Sequence, residues 1–483
     1  MNNANLKPTK KSNGKKGQMT NAIVDKWQSI WSAAATTRDK VYLVTGIVLS
    51  VVTAVVVIVT LHALLVPTFQ IKKGELVQYN GHAEWVVIPD SVTSIGDSAF
   101  RGCHSMIDVT IPDSVMTIGK SAFRDCDRLK VAAIPDSVTS IGSNAFNACT
   151  ALTTVALPQE LDEIAPHTFV DCGKLTNITI PASVVSIGEG AFANCYSLTS
   201  INIPHSLTGI GDKAFTNCKC LANVNMSDSV TTIGAYAFCA CKNLTTLEIP
   251  ASVTSIGAYA FYYDSRLTEI TIPQYVESIG EGAFLGCKDL TGIDVVSRNQ
   301  MYTSRDGVLY NKNMTELICY PANKYGKSCR VLSTVTTIGD SAFAFCRNLQ
   351  MITVSSLTTE IGEKAFTDCT ALKSFTMPDT LSYIGPSAFA NCANLTEISI
   401  PSAVTVISDN TFNGCKVLQT LTLPETVTSV GESAFEQCGH LQIVYYGGNQ
   451  AAWIALQPHI KEHNESLLRA TIGYNNSAAE IIG

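Results

Sequence analysis

Two sets of residues in this chain have the types and spacing that do chemistry. His459-Ile-Lys-Glu462-His463 fits the pattern H-x-x-E-H. On a helix its two imidazoles, four residues apart, share one face where they can hold a zinc ion. No third ligand accompanies them, and a solvated polar helix explains the same residues. The second set is the cysteines, 17 in all, of which 13 recur at one repeated position from Cys103 through Cys241 to Cys438, with Asp264 breaking the series. Outside a cell such a count suggests disulfides. Stacked strands ~4.8 Å apart would bring neighbouring Cα atoms within bridging distance. Equivalent side chains nevertheless point in parallel rather than at each other, and an odd number cannot all pair. The expectation is a ladder of buried, reduced thiols acting as small apolar fillers. Cys319 and Cys329 flank a loop and remain open to pairing. Cys218-Lys-Cys220 and Cys239-Ala-Cys241 lack the two-residue gap of a zinc site. No phosphate loop, nucleophile elbow or dinucleotide fingerprint stands out. The chain reads as a non-enzyme with no catalytic residue, no metal site and no cofactor.

The elements that carry these residues follow from a period. Phe100, Phe123, Phe146 and their successors to Phe284 are spaced 23 residues apart, and Phe343 to Phe435 resume the spacing, so 14 of the 17 phenylalanines share one role. A fixed period of 20–50 residues means stacked repeats. The unit runs L-T-x-I-x-I-P-x-S-V-T-x-I-G-x-x-A-F-x-x-C. Its first six residues alternate with period two and predict a short strand with one buried face. Proline ends that strand in 11 of 14 units, because it has no N–H to pair. Glycine follows the next Ile or Val in 12 of 14, predicting a turn that needs φ > 0 or a close backbone approach. Phe and Cys three apart predict a single helical or 3₁₀ turn. One unit cannot bury its own apolar side chains; stacked, each adds one rung to a parallel sheet and one layer to a continuous core.

In these residues the chain resembles the BspA-like leucine-rich-repeat surface proteins, over Val86 to Tyr446, with Pro, Gly, Ala-Phe and Cys all in register. The fold class expected is therefore a repeat solenoid, leucine-rich-repeat-like, of 14 repeats over residues 85–446. Tyr445 to Trp453, YYGGNQAAW, resembles the family's closing segment, and 447–483 reads as a C-terminal cap and tail. The interruption at 294–330 resembles the family's recurrent insertion. Its residues predict a strand over 302–310, an Asn-Lys-Asn turn and a second strand over 317–321, hence a hairpin.

Charge divides the chain. The first 40 residues hold eight Lys or Arg against two Asp, a net of +6 in a chain of net −7, which leaves −13 for the rest. Val41 to Val66 contains no charge over 26 residues, long enough for a helix to cross a ~30 Å hydrocarbon layer. The sequence thus predicts a basic, partly disordered segment at 1–40, an N-terminal single transmembrane helix at 41–66 acting as an uncleaved signal anchor, and a short linker at 67–84. Basic residues mark the inner side of a membrane. The N-terminus is expected to be cytoplasmic and the repeats extracellular, in a single-pass cell-membrane protein. An acidic ectodomain disfavours nucleic acid.

Repeated positions belong to the core, so recognition must come from the irregular ones. Tyr236, Tyr259, Tyr262, Tyr263 and Tyr275 fall beside Asp264, where repeat registry would gather them at least partly exposed. Tyrosine is enriched in interface hot spots. Glu248, Glu269 and Asp294 fall on successive rungs and would form an acidic stripe. These eight are the candidate partner-binding residues. An internal packing patch and a plain soluble sheet face are the competing readings. The function expected is surface-displayed protein–protein recognition or adhesion. The resemblance implies attachment to host or cell-surface proteins. The alternative is a structural spacer of the cell envelope without a ligand.

Overall fold

Each repeat places three stretches of backbone along the stack, and two of them are strands. The first is the alternating segment. In Asp108–Thr110 the outer residues are exposed and Val109 is buried, and the strand pairs in parallel with its neighbours at a 23-residue shift, Trp85↔Asp108↔Val131↔Thr154. The second is a two-residue strand before the glycine, absent from the sequence reading of one rung per repeat. Ser94–Ile95, Thr117–Ile118 and Ser140–Ile141 stack in the same register, with each Ile buried. Two residues are too few for a period to reveal. The third stretch carries no strand but a backbone ladder: the N–H groups of Ser98, Phe100 and Gly102 donate to Lys120, Ala122 and Arg124 of the next turn at 2.7–2.9 Å. The computed structural model describes residues 68–474, together with Ser50, Val52 and Thr53. The chain divides into Met1–Thr68 and Phe69–Gly483, and the second unit is a β-solenoid of about 16 turns.

The repeated glycines serve close approach, not positive φ. A Cβ on Gly280 would sit 2.2 Å from the Ala258 nitrogen, and one on Gly257 would sit 2.4 Å from that of Ala235. Left-handed backbone lies elsewhere, two residues before and two after each repeat phenylalanine. Ser121 and Asp125 flank Phe123 at φ +56° and +63°, and Tyr259 and Tyr263 flank Phe261 at +56° and +59°. That alternation lets every second N–H point along the stack. The phenylalanines stack through the interior with centroids 4.9–5.9 Å apart, an offset spacing that aromatic pairs favour. Tyr79 and Tyr320 extend the ladder, Tyr79 meeting Phe100 at a 37° tilt and Tyr320 stacking on Phe343. These two turns were hidden from the phenylalanine count because tyrosine holds the position.

Twelve of the thirteen ladder cysteines are buried, Cys103 is half-buried, all are free, and the ladder is more than filler. Twelve of its thiols donate to the carbonyl of the aromatic residue one turn back, as in Cys126 Sγ to Phe100 O at 3.1 Å and Cys438 Sγ to Phe412 O at 3.2 Å. That carbonyl also accepts from the N–H of its own turn's cysteine, Cys103 N to Phe100 O at 3.1 Å. The thiol thus fills the second lone pair of a buried acceptor. Burial pushes these thiols up, Cys369 to about 12, which keeps them protonated and unreactive. Cys319 and Cys329 are free as well. A thiol reagent added without reductant should label exposed Cys220 in the folded chain and titrate all 17 cysteines only after denaturation. A shortfall of more than four thiols would mean bridges and overturn the ladder.

The flanking segments depart from expectation. Within the stretch expected as a linker, Phe69–Lys72 and Glu75–Tyr79 form an antiparallel hairpin whose second strand starts the two-residue sheet at Ser94. The insertion is a three-stranded meander, Tyr302–Arg305, Val308–Asn311 and Glu316–Cys319. The strand expected over 302–310 is split by Asp306-Gly307, whose φ values of +52° and +72° make the mirror-image turn that tight hairpins favour. An Asp-Gly pair was the readable signal. The middle strand divides the interior in two. Leu309 belongs to the core of the preceding turns, while Val308 and Tyr310 belong to that of the following turns, as alternation along a strand dictates. At the C-terminal end, helix Gln450–Leu456, capped by Asn449, buries Trp453 and Leu456 over the last turns.

The basic segment 1–40 and the span Val41–Val66 lie outside the described residues, apart from Ser50, Val52 and Thr53. Among the described residues no helix is long and apolar enough to cross a membrane.

Candidate functional site

The H-x-x-E-H residues do not assemble. The chain forms a 3₁₀ turn, Gln457–His459, then Ile460 bridges to Val430, and His463 adopts a left-handed φ of +62°. The two histidines therefore share no helical face, which corrects the helix expected there. Among the described residues no group of three potential ligands could hold a metal. What this segment does is close the stack. Buried Asn464 accepts from Phe435 N–H at 2.9 Å and donates to Gly431 O at 2.8 Å, taking the place of a further turn.

Four of the five tyrosines come together. Tyr236 stacks on Tyr259 at 5.0 Å, Tyr259 meets Tyr262 edge-on at 5.5 Å, and Tyr262 lies 4.3 Å from Tyr263. All four are partly exposed. Tyr236, Tyr259 and Tyr263 occupy the left-handed positions, where the side chain leaves the core, so repeat geometry turns these rings outward. Tyr275 is not part of the patch: it follows the strand Glu269–Ile272 and its proline on another side of the turn, and stands 58% exposed. The acidic residues are staggered rather than in line. Glu248 and Asp294 share one register position two rungs apart, with Thr271 between them and Glu269 two residues back. All three are exposed.

The patch continues to a cleft that sequence reasoning did not find. Tyr263 meets Phe345, beyond the insertion, at 5.8 Å, and Tyr259 donates from its hydroxyl to Glu281 Oε1 at 2.5 Å. That bond raises the Tyr259 pKa, and burial pushes Tyr262 up to about 12. Glu281 lines a cleft of about 390 Å³ at the junction of the two cores, a volume typical of small-ligand pockets. The meander builds one wall. Buried Asn299 starts it, donating to Pro273 O and Val276 O and accepting from Met301 and Tyr302 N–H at 2.7–3.0 Å. Tyr302 Oη then accepts from Ile279 N–H at 3.0 Å, and Asn311 accepts from the Glu316 N–H at 3.1 Å, which fixes Glu316 at the rim. Glu316, Asp340 and Ser341 complete the polar lining. The readable signals were the Asn299 and Asp306-Gly307 turn chemistry; the acidic lining, Glu281, Glu316 and Asp340, comes from segments 24 and 35 residues apart and has no local pattern.

Parallel two-strand turns, an internal phenylalanine stack and capped ends define a leucine-rich-repeat-type solenoid. The sequence profile of the BspA type Leucine rich repeat region (6 copies) matches residues 76–199, 185–315 and 322–449, and the chain belongs to that family. A leucine rich cell surface protein of Faecalibacterium prausnitzii A2-165 is 29% identical, with 81% of this chain and 98% of that one covered, at a TM-score of 0.59. A leucine-rich repeat protein of Bacteroides ovatus is 27% identical over 84% of this chain and 97% of that one, at 0.54. One from Eubacterium ventriosum is 30% identical over 57% and 73%, at 0.53. No curated protein matches the chain.

Proposed function

We propose that this chain is a surface-displayed recognition protein that engages a protein partner through the tyrosine patch and the adjoining junction cleft. The observation that carries the reading is the patch. Four tyrosines leave the solenoid side by side, next to a cleft and around Asp264, where the cysteine ladder is broken. Aromatic clusters of this kind supply contact area at low entropic cost. The family supports a place on the cell surface, and the F. prausnitzii relative is described as a cell surface protein. Residues 41–66 would serve as the single-pass anchor, with the basic N-terminus cytoplasmic and the repeats outside. Glu248, Glu269, Asp294 and Tyr275 would extend the contact over the neighbouring sheet face.

Two experiments test this. Protease added to intact cells should cleave the repeats; protection would place them on the other side of the membrane and remove the reading. In a screen against extracellular proteins, the triple variant Tyr236→Ala/Tyr259→Ala/Tyr263→Ala should lose at least 10-fold in affinity at unchanged thermal unfolding, since hot-spot truncations cost about 2 kcal/mol or more. A variant that loses stability and keeps affinity makes the patch internal packing. Uniform failure of the unmodified chain to bind favours the spacer role.

A further inference from the structure

The lining of the junction cleft contains three carboxylates and no lysine, arginine or histidine. Two of the three are engaged, Glu281 with the Tyr259 hydroxyl and Asp340 Oδ1 with the Glu363 N–H. The Glu316 carboxylate has no hydrogen-bond or ion-pair partner among the described residues, and burial, then the charges of Asp340 and Glu360, raise its pKa. On the same lining stands Ser341, 9% exposed, whose Oγ is shielded from solvent and meets no partner. A buried hydroxyl and a half-buried carboxylate left unpaired are both unfavourable. One group satisfies both if it is positive and brings several donors. Between the polar atoms the lining is apolar, with Leu285, Met301 and the ring of Tyr302. An alkylammonium fits this combination: three donors in a compact charge, on a flexible four-carbon stem.

We propose that the junction cleft receives the side chain of a lysine presented by a protein partner, its ammonium donating to Glu316, Asp340 and Ser341 Oγ and its methylenes lying against Met301 and Tyr302. This rests on the reading of the chain as a recognition protein and names the chemistry that the site selects. The lysine anchors the contact in the cleft while the adjoining tyrosines cover the residues around it.

The test uses the purified full chain and three probes: the peptide Gly-Gly-Lys-Gly-Gly, its Nε-acetylated form, and n-butylammonium, with affinity read from peptide NMR line broadening. The lysine peptide is expected to bind, the acetylated one at least 10-fold more weakly, and binding should weaken as salt rises. Glu316→Gln should weaken the lysine peptide at least 10-fold, in line with the loss of a charge-assisted bond. Ser341→Ala, which removes only the third acceptor, should weaken it about 3- to 10-fold, with thermal unfolding of both variants recorded alongside. Acetylated peptide binding as tightly as the free one, or unchanged affinity in both variants, overturns the proposal. If n-butylammonium binds as tightly as the peptide, the cleft takes free amines and the partner clause falls. The two readings fail separately: with no lysine binding but loss of protein capture in the tyrosine triple variant, recognition stands and this assignment does not.

Discussion

Replacing Asp264 with asparagine is expected to stabilise the folded chain at pH 7 by about 1–3 kcal/mol, the cost of a buried polar atom without a partner. Asp264 occupies the one ladder position that lacks a cysteine and is completely buried. Its Oδ1 accepts from the Cys241 N–H at 2.7 Å, while Oδ2 meets nothing. Register places it where the other turns have a thiol donating to the carbonyl one turn back, here that of Phe238. An asparagine keeps the acceptor and offers an N–H to that carbonyl. The same geometry sets the pH dependence. Burial raises the Asp264 pKa well above the ordinary carboxylate value, and the nearby titratable groups, Cys239, Cys241 and Cys287, are thiols that bring no positive charge. The unfolded chain releases this proton near pH ~4. Above that pH the folded state must either hold the proton or bury a charge, so the stability contributed by the protonated carboxyl is complete below ~4 and declines as pH rises toward the folded value. The gain from Asp264→Asn should therefore be largest at neutral pH and shrink toward pH 4. Urea unfolding of the two proteins at pH 4 and pH 7 checks it, and a gain independent of pH would show that Asp264 does not titrate in this way.

Truncating one ring of the phenylalanine stack should have the larger effect. Phe215→Ala is expected to cost about 3–5 kcal/mol, the usual penalty for a cavity of that size in a packed core. Phe215 is fully buried between Phe192 and Phe238, both at 5.4 Å. Repeat proteins sum local stabilities and nearest-neighbour contacts. Because Val308–Asn311 separates two cores, the loss should fall on the turns before the insertion. Phe389→Ala, in the second core, should weaken the turns after it. Hydrogen exchange resolved along the chain distinguishes the halves; equal loss of protection throughout both would mean that the two cores unfold as one.

The contrast between these two sites shows how far the sequence could be read. Phe215 is one of fourteen identical answers to the same packing demand, and repetition made its role plain. The thiols were equally visible, but their donor role was not, because a hydrogen bond to the turn behind needs the register between turns. The two-residue strands are too short for any period, and glycine indicated a demand on the backbone without saying which residues turn left-handed. The tyrosines could be gathered from the period alone, except Tyr275, which lies on a different side of the turn. Glu281, Glu316 and Asp340 come from separate elements around a meander, and no local pattern joins them.

The strand that divides the interior has a consequence for growth of the molecule. Each turn of a stack of equal 23-residue units contacts only its neighbours, so whole units can be gained or lost without changing the register between turns. Here the turns on either side end against opposite faces of Val308–Asn311. Copies can be added to or removed from the outer turns of either half while the junction keeps its phase. The tyrosine patch and the cleft sit at that fixed point, so copy number can vary without altering what the junction presents.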